Sequence, residues 1–129
     1  PRELQARYEI SLEQHVITVN IEAETAADIA TTMILPAAAR YITELVEAGL
    51  DDYADEVRAE TTRFVAAIKE FRAINAVHPD EGILVEAIYM RDKVIPAMAR
   101  VREIADSLER IVADNQWPLP KYSEILFIK

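Results

Sequence analysis

The chain is 129 residues long, 51% apolar and 29% charged, with two glycines, six prolines, no cysteine and a formal charge of −9. That length and apolar share suit one domain with a buried core and exclude a disordered tail, which pairs charge with low hydrophobicity. The absence of cysteine excludes a disulfide framework, a thiolate metal site and a cysteine nucleophile. The 23 acidic residues against 14 basic ones disfavour nucleic acid and anionic membranes as partners, because both are polyanions.

No apolar run approaches the ~20 residues of a membrane helix, and Pro1-Arg2-Glu3-Leu4 has no signal-peptide layout, so the expected location is cytoplasmic. The missing initiator methionine leaves two readings, removal ahead of Pro1 or excision from a longer chain. Two glycines also imply few turns and therefore few, long elements. Gly49 and Gly82 are the punctuation points.

In chain order, residues 3 to 47 come first and are the least decided. Tyr8, Ile10, Leu12 and then Ile17, Val19, Ile21 alternate as a strand would. Tyr8, Leu12, Val16, Val19, Ala23, Ala27, Ala30 and Ile34 fit a helix, with no glycine or proline before Pro36, and the helix reading is the one adopted. Such a helix runs roughly 67 Å at 1.5 Å per residue and bends where Pro36 removes a donor. Ile10, Ile17 and Ile21 form a second apolar stripe on another side of it. Either a further subunit or a missing part of the same protein covers that stripe, or the helix is surrounded within its own core.

The second helix is predicted near residues 52 to 76, where Tyr53, Val57, Thr61, Phe64, Ile68 and Phe71 share one face. The third is predicted near 80 to 115, with Ala87, Arg91, Val94, Met98, Val101, Ala105, Leu108 and Val112 on a coiled-coil-like stripe. Ile34-Leu35-Pro36-Ala37-Ala38-Ala39-Arg40-Tyr41 is echoed 60 residues later by Val94-Ile95-Pro96-Ala97-Met98-Ala99-Arg100-Val101. Each segment sets a proline inside a helical run, which points to kinks that the packing uses. From Gln116 onward two prolines end the helix, and the apolar terminus is expected to dock. The fold class is thus all-α, an antiparallel bundle of three long helices, two with internal proline kinks, plus a docked C-terminal tail, in a single domain spanning 1–129.

Tests for chemistry return little. Neither His15 nor His78 follows a glutamate by three residues, as a di-iron bundle requires, and His15 with Glu22 is too sparse for a metal site. Two isolated glycines supply no phosphate loop, and Ser11, Ser107 and Ser123 have no nucleophile elbow. Arg91, in a core-facing slot, is a candidate to pair with Glu24 or Asp28. It stands almost alone, which speaks against a small helical enzyme that gathers several cations around a dicarboxylate. No catalytic, cofactor-binding or metal-binding residue is assigned.

Five segments, in order, resemble the C-terminal region of type III glutamine synthetase: Arg7-Tyr8-Glu9-Ile10, Val19-Asn20-Ile21-Glu22-Ala23, Ile34-Leu35-Pro36-Ala37-Ala38, Tyr89 to Met98, and Trp117-Pro118-Leu119-Pro120 with Tyr122 to Ile128. Residues 48 to 82 carry the least resemblance. The resemblance implies a parent that ligates ammonia to glutamate through a γ-glutamyl phosphate, using ATP and divalent metal in a large ring-shaped homo-oligomer. It also implies that the nucleotide, glutamate and metal sites lie in upstream domains, so this chain is expected to be a noncatalytic terminal fragment contacting those domains and sister subunits. The rival reading is an independent helical interaction module. In both, Ile10, Ile17, Ile21 and Phe127 are the candidate interface.

Overall fold

A computed structural model describes residues 2–113 and 115–120. Among them the secondary structure is entirely helical, in three continuous runs. The first run is α1 (Arg2–Ile29), a π-helical turn (Ala30–Ile34) and α2 (Leu35–Glu47). The second is α3 (Asp51–Asn75). The third is α4 (Ile83–Tyr89), a second π turn (Met90–Val94) and α5 (Ile95–Ile111). The strand reading of the first 48 residues gives way, because β-branched residues cost a helix little when its apolar face is buried.

The two π turns explain how prolines sit inside long helices. A proline has no N–H, and its ring collides with the carbonyl four residues back. Here the chain widens just before each proline: the Leu35 N–H donates to the Ala30 carbonyl, and the Ile95 N–H donates to the Met90 carbonyl. These i→i−5 bonds make room for the ring while helical backbone continues on both sides. The echoed octapeptides therefore encode the same local structure twice, 60 residues apart.

Turns occur where the glycines stand. Gly49 has φ +79°, a left-handed conformation that closes α2, and the Leu50 N–H reaches back to the Leu45 carbonyl. Asp51 and Asp52 occupy the first turn of α3, where carboxylates favour the helix dipole. Gly82, at φ +107° and ψ 165°, precedes α4 in backbone that only glycine adopts readily.

α3 lies against both α2 and α5, and α1 lies against α4. The main core joins Val16, Val19, Ala23, Ala27, Ala30 and Ile34 of the first run to Phe64, Ile68 and Phe71 of α3 and to Met90, Val94, Val101 and Leu108 of the third run. A smaller cluster of Leu45, Ala54 and Val57 closes the α2–α3 end. The last turn of α3 is tied to the first widened turn and to the end of α4. Arg72 Nη2 donates to Thr31 Oγ1 at 3.1 Å, and the Tyr89 hydroxyl donates to the Ile74 carbonyl at 2.7 Å.

Two sequence expectations change. Arg91 does not face the core: it is exposed and pairs with Asp92 at 2.8 Å. The wider turn lets Met90 and Val94 stack on the buried side, and an apolar methionine takes the place that a guanidinium would enter only at a large desolvation cost. Glu24 accepts from Asn75 Nδ2 at 3.1 Å instead, and Asp28 is exposed. Tyr8 is exposed as well, because the buried stripe of α1 begins in earnest at Val16.

Phe71 is fully buried, so Phe71→Ala is expected to lower the unfolding free energy by about 3–5 kcal/mol in a denaturant titration. Gly82→Ala meets no atom within 4 Å and is expected to cost about 1–3 kcal/mol through backbone strain alone.

Candidate functional site

The α1 surface divides cleanly along its length. Val16, Val19 and Ala23 turn inward, whereas Ile10, Ile17 and Ile21 are 58%, 50% and 62% exposed. The stripe follows from helical spacing: three isoleucines recur over three turns on the side away from the core. Among the described residues, these three are not enclosed by the core. Phe127, the fourth candidate, lies outside the described residues.

Ile21 also opens onto a groove of about 590 Å³ between α1 and α5. The floor is formed by Ile29, Ala30, Ile34, Phe64 and Ala105, and one wall by Trp117, Leu119 and Pro120. Trp117 and Leu119 pack on the core, and Gln116 Nε2 donates to Glu44 Oε1 at 2.6 Å, so the segment after α5 is anchored over the bundle as far as Pro120. The docking expected of the terminus is thus met for residues 116–120, and the rest of the tail lies outside the described residues. The sequence reading did not foresee the groove; its one advance sign was the alanines at 26, 30 and 105, which carry too little side chain to fill the space between two helices.

Around the groove stand Glu22, Arg102, Asp106 and Glu109. Among the described residues no three His, Cys, Asp or Glu side chains come together to hold a metal ion, and His15 and His78 are both exposed. The donor set for a divalent metal is therefore not assembled from these residues, and the two glycines at separate turns form no phosphate cradle. No chemical step is derived from a metal or nucleotide held here.

Two electrostatic features stand out. The hydrogen bond from Arg91 holds the Asp92 carboxyl below its ordinary range. Burial raises the Tyr41 phenol above 10.0, with smaller contributions from Tyr53 and Glu44. Both are surface or turn features that fasten structure. The i,i+3 pairs Arg58–Asp55 and Arg63–Glu60 are likewise ordinary helix-surface contacts.

A family model described as the glutamine synthetase C-terminal domain matches residues 1–52. The Type-3 glutamine synthetase of Dictyostelium discoideum is 30% identical over 154 aligned positions, covering 100% of this chain and 20% of that protein. A glutamine synthetase of Bacteroides fragilis (strain YCH46) is 32% identical over 146 positions, covering 98% of this chain and 20% of that protein. The chain thus spans about a fifth of the length of these relatives. Among the described residues no helix is long and apolar enough to cross a membrane.

Changing Ile10, Ile17 and Ile21 to serine is expected to shift stability by no more than about 0.5 kcal/mol each, whereas Val19→Ser, in the core, is expected to cost several times more; thermal unfolding of the two variants checks this contrast. Tyr41 gives a second test. The unfolded phenol ionises first, so its contribution is complete below pH 10.0 and is lost as pH rises through the higher folded value. Tyr41→Phe is expected to flatten the alkaline limb of a stability–pH curve.

Proposed function

We propose, for a chain that is the C-terminal domain of a type III glutamine synthetase, that its task is to support the fold and assembly of the longer enzyme and that the chemistry is done elsewhere. In this reading the parent is an ATP-dependent ligase that joins ammonia to glutamate in the cytoplasm as a homo-oligomer. ATP and divalent metal bind upstream domains. The partners of this domain are those upstream domains and sister subunits.

The observation that carries the reading is the exposed stripe of Ile10, Ile17 and Ile21 on a helix whose opposite side is already buried. Taking the remaining exposed half or so of three isoleucines out of water contributes roughly 1–2 kcal/mol each, enough to help decide whether two surfaces stay together. The match of the family model to residues 1–52 falls on the run that bears the stripe.

We also read the three runs as one antiparallel bundle over residues 1–129, bent at Pro36 and Pro96. This is supported by hydrogen bonds that join the start of α3 to the end of α5 (Tyr53 hydroxyl to the Ile111 carbonyl, 3.4 Å) and the end of α3 to α4 (Tyr89 to Ile74). Asn75 meeting Glu24 sets the end of α3 beside α1 in the same sense.

The test places Ile10→Ser, Ile17→Ser and Ile21→Ser in the full-length enzyme and measures its mass by light scattering. The expected result is dissociation into smaller species with helicity retained. Unchanged assembly and activity overturn the role given to the stripe. The 129-residue chain assayed alone is expected to form no γ-glutamyl product, and measurable ligase activity overturns the division of labour.

A further inference from the structure

The exposed face of α1 repeats at heptad spacing. Ile10, Ile17 and Glu24 stand seven residues apart, and Arg7, Gln14, Ile21 and Asp28 form the matching second row three or four residues away. All of these side chains are exposed, on the side opposite Val16, Val19 and Ala23. We propose, on the reading of the isoleucine stripe as an assembly face, that its partner is the same stripe on a second copy of this chain, running antiparallel about a two-fold axis between Gln14 and Ile17.

Charge selects this occupant, because the face is complementary to itself in one direction only. In the antiparallel pair Ile10 meets the partner's Ile21, Gln14 meets the partner's Ile17, and Arg7 meets the partner's Glu24. Two-fold symmetry makes each of these contacts twice, so an apolar centre is closed at both ends by an arginine–glutamate pair. Among the described residues Arg7 forms no ion pair within its own chain. Glu24 gives Oε1 to Asn75, and a carboxylate accepts further donors. The like-charged contact of this register, Glu3 with the partner's Asp28, falls at the outer ends, where salt screens it. A parallel pair instead sets Arg7, Glu24 and Asp28 each against its own copy.

The placement of α1 on the bundle supports the same arrangement. Of residues 2–15 only Leu12 is partly buried, so about 21 Å of helix stands clear of the core. A helix of that length is marginal in water without a neighbour. The antiparallel partner lays residues 16–29 of its own α1 along this overhang and receives the same cover in return. The two bundles lie on opposite sides of the helix pair, because the stripe faces away from the core. Ala6, Ser11 and Thr18 beside the stripe are small and uncharged and allow the backbones to approach.

The chain has no cysteine, so introduced ones report the register without background. Ile10→Cys and Ile21→Cys versions of the 129-residue chain, one of them tagged to differ in mass, are mixed and oxidised. The expected product on non-reducing electrophoresis is the mixed disulfide, with little homodimer of either. In the antiparallel pair the two copies of residue 10 lie about 16 Å apart along the axis, too far for a disulfide. Arg7→Glu or Glu24→Arg alone is expected to weaken self-association several-fold in light scattering, with helicity retained, and the double exchange is expected to restore it. Disulfides within each kind and none between kinds report a parallel pair and overturn the proposal. A chain that stays monomeric at high concentration and gives no mixed disulfide overturns it as well. If the isoleucine-to-serine changes then still dissociate the full-length enzyme, the assembly face stands and its partner is an upstream domain, so the two failures are told apart.

Discussion

A proline has no N–H to give, and this domain places one inside each of two long helices. Everything downstream in each run depends on how that deficit is absorbed. The chain widens by one residue into a π turn, with Leu35 and Ile95 bonding five residues back to Ala30 and Met90. The helix continues, and the apolar line is re-aimed: Ala30 with Ile34, and Met90 with Val94, stay on the buried side across the interruption.

α3 is the element against which both adjusted runs are set. It contains no proline, and its face of Val57, Thr61, Phe64, Ile68 and Phe71 is buried along about four turns. Its last turn is tied to the first widened segment through Arg72 to Thr31, and to the end of α4 through Tyr89 to Ile74. The thin alanine layer of α1 against this frame leaves two distinct apolar surfaces, the open isoleucine stripe and the groove, which meet at Ile21.

The division suits one domain of a larger enzyme. The isoleucine stripe and the groove bordered by Trp117 and Pro120 are both apolar surfaces left open among the described residues. Neither requires a reacting group. The carboxylates and cations near them are spread along helix surfaces, and the shifts at Asp92 and Tyr41 arise from a neighbouring guanidinium and from burial beside another phenol.

The sequence by itself determined the three helical runs to within four residues at each end, because apolar spacing of three and four is a local property and the two glycines fall at the ends of elements. It also determined the two special prolines, through an echo readable without any coordinates, and the separation of Ile10, Ile17 and Ile21 from Val16 and Val19. It misplaced Arg91 because a fixed 100° step cannot register one extra residue in a turn. Only the tertiary structure decided that Met90 goes in, that Glu24 serves Asn75, and that alanines on two distant helices leave a groove. The reason is physical: periodicity states which side of a helix is apolar, but the space between two helices depends on side chains more than 70 positions apart in the chain, and only packing brings those together.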